Sequence, residues 1–387
     1  MSVTISNADK ALKTYYLDAI ASQLNLKANP LLAMVKQSTD DVWGKEVRKL
    51  AIYGVNGGVG AGTEDGSLPD ANGNNYEQFV VTLKNLYGTI EISDKAVRAS
   101  ENNTGAFVSL LNAEMEGLIK SSSFNFGRML FGDGSGVLTA LGVRDGNGIV
   151  ANNVKNLVEG MVVDIIAPTN EVIETGKRIA TIDRDKKVIT FSNLTVSADH
   201  EFCNLVVQGS FKNEITGLGA IFGDGETIYG LNKSAHTWLK PYVKKDAGSI
   251  TEMDIQTAID TIEENSGSNV NVIICSWGVR RALQKLFAEN KRIVDTVELA
   301  GGYRAISYNG IPVIADRFCP EGTMYLLNSE DFTLHQLCDW QWLEGEDGTV
   351  LKQVPGKPVY TATLVKYADL ICARPNGQGM ISGITEE

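Results

Sequence analysis

The sequence predicts an α+β fold that carries an inserted all-β module. Three textures point to it: apolar residues at helical spacing from 104 to 131, short β runs between 153 and 211, and helices alternating with apolar strands from 251 to 371. At 387 residues the chain is long for one simple core, so a main domain with insertions is expected.

The first elements are helical. Leu12, Tyr15, Tyr16, Ala19 and Ile20 recur at helical spacing within 8–24, and Asn29-Pro30 opens a second short helix ending near Val35. Residues 43–53 and 76–92 then read as the two arms of one long hairpin, with Phe79, Val81 and Leu83 alternating along the second arm. Seven glycines between Gly54 and Gly73 leave the tip too free to hold one shape alone. An arm of this kind is about 36 Å long at ~3.3 Å per residue, and an isolated two-stranded ribbon is marginal in water. The hairpin must therefore fold back on its own domain or lie across a neighbour.

Ser93 is placed to cap a short helix over 94–99, and Thr104 a helix running to Phe131, about 40 Å long at ~1.5 Å per residue. Its apolar positions include Phe107, Leu110, Leu111, Met115, Leu118, Phe126, Met129 and Leu130, and the run 132–136 with three glycines stops it. Strands follow at 161–166, 178–182, 188–191 and 204–208, with 183–186 as a tight turn. Thr251 starts a helix bearing Ile255, Ala258, Ile259 and Ile262; 270–275 is an apolar strand, and Ser276 caps a helix through Ala288. Strands at 305–314, 323–328, 331–338 and 359–371 complete the region.

Charge and motifs exclude several classes of chemistry. A net charge of −12 opposes tight binding to nucleic acid, whose affinity comes mainly from Lys and Arg on phosphates. No apolar run approaches the ~20 residues that span a bilayer, and 1–10 lacks the features of a signal peptide. Five widely spaced cysteines without a CxxC pair suggest a reducing compartment. The Gly-Lys pairs at 44, 176 and 356 lack a following Ser or Thr, so no phosphate-cradling loop is present. Gly58, Gly60 and Gly62 only superficially match a dinucleotide loop, because Thr63 stands where its third glycine belongs. His200, His236 and His335 share no context with a nucleophile elbow. His335, Cys338 and Cys319 lack a fourth zinc ligand, and Asp183 with Asp185 lacks the glycine and distal Glu of a calcium loop. No catalytic residue, cofactor or metal is expected.

The order of parts resembles the major capsid proteins of tailed double-stranded DNA bacteriophages, the Hong Kong 97-type fold that encapsulin shells share. Locally, 43–53 with 76–92 resembles that family's extended loop. Thr216-Gly217-Leu218, the run 228–233 and Trp238 are similar to its return to the peripheral domain. The stretch 251–288 resembles the helix–strand–helix entry to its axial domain, and 309–316 its Gly-x-Pro strand. The resemblance implies a helical N-terminal arm at 1–42, the extended loop at 43–92 and a peripheral domain with spine helix at 93–144. It further implies an inserted β-barrel-like domain at 145–212, a return at 213–250, axial domain and late peripheral strands at 251–371, and a tail at 372–387.

The function so implied is a non-enzymatic shell protein forming hexamers and pentamers of an icosahedral or prolate virion capsid, assembled in the bacterial cytoplasm. It encloses DNA without sequence-specific binding and touches no membrane; scaffold, portal and decoration proteins are the further partners expected. Trp43, Val47, Ile52, Tyr53, Tyr76, Phe79, Val81 and Leu83 are the expected assembly contacts, with the face of Phe79, Val81 and Leu83 laid over a neighbour. A nanocompartment shell enclosing a cargo enzyme is the alternative within the same fold; a tail protein or an unrecognised hydrolase are the more distant ones.

Overall fold

A computed structural model of the chain describes residues 29–95, 104–289, 296–299, 303–345 and 348–387. The helix expected at 8–24 and most of the one expected at 94–99 lie outside these residues. Two compact units emerge, one built from Met1–Ser123 with Ile221–Glu387 and the other from Phe124–Ala220.

In the first unit, the helix Pro30–Met34 uses proline at its first position, where an amide N–H would have no helical partner anyway. It leads into the strand Lys36–Ser38, which lies parallel to Phe332–Trp342 at the edge of a five-stranded sheet. Val359–Cys372 sits in the middle of that sheet, antiparallel to Phe332–Trp342 on one side and to Lys84–Ser93 on the other. The expected second arm of the hairpin, 76–92, is thus two strands. Asn75–Thr82 pairs with Glu46–Tyr53, while Lys84–Ser93 leaves for the five-stranded sheet. The cause is a change of phase: the buried positions are Phe79, Val81 and Leu83, then Leu86, Ile90 and Ile92. A step from odd to even turns the strand over, so one ribbon cannot continue through it.

The remainder of this unit is a seven-stranded mixed sheet with two helices packed on it. Thr251 caps Glu252–Ser266 reciprocally with Asp254, and Gly267 ends it in a left-handed conformation. Ile255, Ala258 and Ile262 of this helix, with Val279, Leu283 and Phe287 of Trp277–Glu289, cover Ile273, Val313 and Leu326 of the sheet. The single strand expected at 305–314 is a hairpin, Tyr303–Tyr308 with Ile311–Ala315. Asn309 and Gly310 both take positive φ, 48° and 83°, the pairing a two-residue turn needs and Asn-Gly favours.

The second unit is a closed six-stranded barrel in the order Val188–Phe191, Gly148–Ala151, Val137–Asp145, Asn204–Val207, Val162–Ile166 and Val172–Asp183. It begins at Val137, ahead of the expected 145. Leu141, Ile149, Val163, Ile165, Ile179, Ile189 and Leu205 fill it. Asp183 Oδ1 accepts from the amides of Asp185 and Lys186, making the turn read from the sequence. Below the barrel, the chain returns beside the end of the long helix Thr104–Phe131. A Cβ on Gly217 would strike the carbonyl oxygens of Met129, Leu130 and Gly132, so only glycine fits there. Arg128 makes a two-pronged pair with Glu214, one prong running from Nη1 to Oε2 at 2.9 Å, and both side chains are buried.

Because both charges are out of water, removing one leaves the other uncompensated. Arg128→Met should therefore cost about 3–5 kcal/mol of unfolding free energy, and Arg128→Met with Glu214→Leu much less than twice that. Chemical denaturation of the two variants checks this; a double-variant loss of twice the single loss or more would show that the two charges do not depend on each other.

Candidate assembly surface

The Glu46–Tyr53 and Asn75–Thr82 ribbon stands on an aromatic stack. Phe79 packs against Tyr229 at 5.1 Å and Trp238 at 5.8 Å between ring centroids, and Tyr53 lies flat on Trp238 at 5.0 Å. Tyr229 holds the ribbon in two further ways. Its carbonyl accepts from the amide of Val80, and its phenol oxygen accepts from the amide of Cys372 in the five-stranded sheet. Burial pushes its hydroxyl well above the ordinary tyrosine value, so it stays protonated.

Registry fixes the two faces. Val47 lies opposite Val81 and Lys49 opposite Phe79, with Ala51 and Tyr53 continuing the inward side. Of the eight expected contacts, Val47, Tyr53, Phe79, Val81 and Leu83 therefore belong to the inward side or its continuation. Phe79, Val81 and Leu83, expected to cover a neighbour, are 0%, 6% and 6% exposed within the chain itself, with Phe79 against the rings of Tyr229 and Trp238.

Trp43, Ile52 and Tyr76 point the other way and are 72%, 64% and 52% exposed. Leu50 and Val80, unremarked in the sequence, join them. With Phe79 and Val81 inward, the two-residue period of a strand requires Val80 outward, so the signal was present. Ile52 lies directly opposite Tyr76. The outward side thus carries Leu50, Ile52, Tyr76 and Val80, with Arg48 opposite Val80, Gln78 opposite Leu50 and Trp43 opposite Glu46, and leads to the tip, where Val55, Val59 and Leu68 are exposed.

The other candidates of the sequence reading sit apart. Cys319 Sγ contacts the carbonyl of Thr323, while His335 lies in the five-stranded sheet with Nδ1 3.1 Å from the carbonyl oxygen of Asp40. Among the described residues no three His, Cys, Asp or Glu side chains converge on a metal position, and no helix is long and apolar enough to cross a membrane. In the same sheet Lys366 is buried, donating to Gln336 Oε1 at 2.7 Å and Asp339 Oδ1 at 2.6 Å; burial pushes its ammonium below the ordinary value.

A β-ribbon, a long helix and an α+β half with late strands make up a fold of Hong Kong 97 type. The chain resembles the structure of the cyanophage A-1(L) capsid asymmetric unit with a TM-score of 0.56 at 14% identity, covering 93% of this chain and 94% of that one. An empty GTA particle capsid gives 0.49 at 9% identity over 93% and 91%, and the holo-SrpI encapsulin of Synechococcus elongatus 0.47 at 10% over 95% and 95%. The fold assignment rests on the first alone. Residues 202–348 match the family described as the SU10 major capsid protein, in agreement with the resemblance drawn from the sequence. Comparison with curated proteins found no match.

Two outcomes follow from this geometry. Phe79→Ala removes the ring that seats the ribbon and should cost about 3–5 kcal/mol in a denaturant titration; a loss below 1 kcal/mol would mean the stack is not the anchor. The second concerns His335, which burial holds below its ordinary value of 6.5 despite Asp40 and Asp41, with Lys49 acting in the same direction as burial. The unfolded chain then takes up the proton first, so the neutral ring's contribution is complete above about 6.5 and is lost as pH falls through that value. Thermal unfolding followed downward from neutral pH should show this slope, and His335→Gln should flatten it.

Proposed function

We propose that the chain is the major capsid protein of a tailed bacteriophage, a structural protein that assembles into hexamers and pentamers of a closed shell around double-stranded DNA. The observation that carries this reading is the outward stripe of Trp43, Leu50, Ile52, Tyr76 and Val80 on a ribbon whose other side is already buried. A soluble monomer gains nothing from holding such a stripe in water, whereas a copy laid against it removes that area from solvent. The family match over 202–348 and the fold support the same conclusion.

In this reading each subunit's ribbon lies on the next subunit around a ring, one surface meeting a different one, as rotational closure requires. The N-terminal arm, spine helix, barrel insertion and axial sheet take the divisions drawn from the sequence, with the barrel extended back to Val137. The net charge of −12 suits a container that must not grip every phosphate within it. Assembly takes place in the host cytoplasm, with scaffold, portal and decoration proteins as partners.

Negative-stain electron microscopy of the concentrated protein should show closed particles or rings of five and six. Ile52→Asp and Leu50→Asp should abolish them while leaving thermal unfolding of the subunit unchanged. Particles that form normally with both substitutions would remove the stripe from the interface. A chain that stays monomeric with and without scaffold would remove the shell reading itself.

A further inference from the structure

The hairpin neck holds an asparagine whose surroundings favour chemistry on its own backbone. Asn56 is exposed, is followed by Gly57, and its Oδ1 accepts from the amide of Gly58 at 2.9 Å. That hydrogen bond folds the carboxamide over the intervening peptide and polarises its C=O. The residue after it has no Cβ to block approach.

Each half of this arrangement occurs elsewhere without the other. Asn153, Asn232 and Asn328 accept the same kind of bond from the amides of Lys155, Ser234 and Glu330, at 2.8, 2.7 and 3.1 Å, but Val154, Lys233 and Ser329 follow them. Asn72, Asn147, Asn309 and Asn376 precede glycine, but none has a described hydrogen bond from the second amide onward. Asn309 is fixed at φ 48° in its turn and its Nδ2 donates to Gln256 Oε1; Gly148 and Gly377 are buried.

We propose that Asn56-Gly57 is a site of spontaneous deamidation and isomerisation. The Gly57 nitrogen, on losing its proton to solvent base, attacks Asn56 Cγ; an N–Cγ bond forms, the Cγ–Nδ2 bond breaks, and Nδ2 leaves as ammonia after taking up a proton. Water then opens the resulting five-membered imide at either carbonyl, giving aspartate or isoaspartate. No oxidant or cofactor enters.

Both products alter the hairpin. The tip from 54 to 74 already bears Glu64, Asp65 and Asp70 and has no Lys, Arg or His, so a further carboxylate adds to uncompensated negative charge. Isoaspartate also inserts a methylene into the backbone three residues beyond Tyr53, whose ring stacks on Trp238. The neck is therefore a slow chemical clock on the hairpin.

The test is peptide mapping of the intact chain held at mildly alkaline pH and body temperature, reading the unit mass gain and isoaspartate at each asparagine over time. Asn56 should convert first, ahead of Asn72, Asn309 and Asn232. Gly57→Ala should slow it several-fold without changing Asn309 or Asn232, and Asn56→Gln should be inert over the same period. Gly57 has no left-handed backbone conformation, and an added Cβ would come to 3.3 Å of Asn72 Cβ, which the exposed Asn72 side chain relieves by a small shift, so the alanine variant should fold, which thermal unfolding verifies, and Asn309 and Asn232 are the reference sites for it. Conversion of Asn56 no faster than Asn232 or Asn309 overturns the proposal, as does an unchanged rate in Gly57→Ala.

Discussion

A β-ribbon has two faces and can give only one of them to its own chain, and that constraint governs the first unit. Phe79, Tyr53, Trp238 and Tyr229 settle which face is given. Tyr229 takes a left-handed backbone conformation, φ 52°, while its ring, carbonyl and phenol oxygen engage Phe79, Val80 and Cys372 respectively. A bulky residue in that region is costly and persists only where several contacts hold it. Once the stack is made, strand registry leaves Leu50, Ile52, Tyr76 and Val80 in water.

Much of this was legible in the sequence, and what was not had a definite cause. The helix 104–131, the capped helix after Thr251 and the late strands follow from periodicity, capping and apolar runs that are local in the chain. What buries the Phe79 face of the ribbon was not legible. Alternation at Phe79, Val81 and Leu83 shows that one face is buried but is silent on what buries it, and the partners Tyr229 and Trp238 lie some 150 residues further on. The break at Leu83 and the turn at Asn309-Gly310 did leave local marks, a phase change and an Asn-Gly pair. The barrel's first strand was absorbed into the preceding element because Val137, Thr139 and Leu141 follow the helix end without a long separating loop.

Polar groups close each unit separately. In the first, Gln378 is fully buried, yet its Oε1 accepts from the Asn328 amide at 2.9 Å and its Nε2 donates to Asp331 Oδ2 at 2.9 Å. Asp331 immediately precedes the strand Phe332–Trp342 of the five-stranded sheet and Asn328 immediately follows Met324–Leu327 of the seven-stranded sheet, so the amide joins the two. In the barrel, Asp164 accepts from Gly176 and Gly209 at 2.9 and 2.8 Å, pinning irregular places where neither amide has a ladder partner. Hydrogen bonds of this kind add modest net stability but are expensive to break singly, which suits them to fixing geometry.

The proposed shell contact differs from both in scale. Fully burying one exposed large apolar side chain stabilises by about 1.5–3 kcal/mol, and Leu50, Ile52, Tyr76 and Val80 are on average about half exposed, so together they supply about 3–6 kcal/mol. Bringing two copies together costs about 4–15 kcal/mol in lost freedom, before the glycine-rich tip is ordered. A single ribbon contact is therefore at best balanced, and a pair of subunits should come apart readily. In a closing ring each subunit both gives and receives a contact, and the last one forms between chains already held together, without a second loss of translational freedom. Weak contacts that become durable only on closure let misplaced subunits leave, and a bare stripe of this modest size on an otherwise well-sealed fold is what such a protein requires.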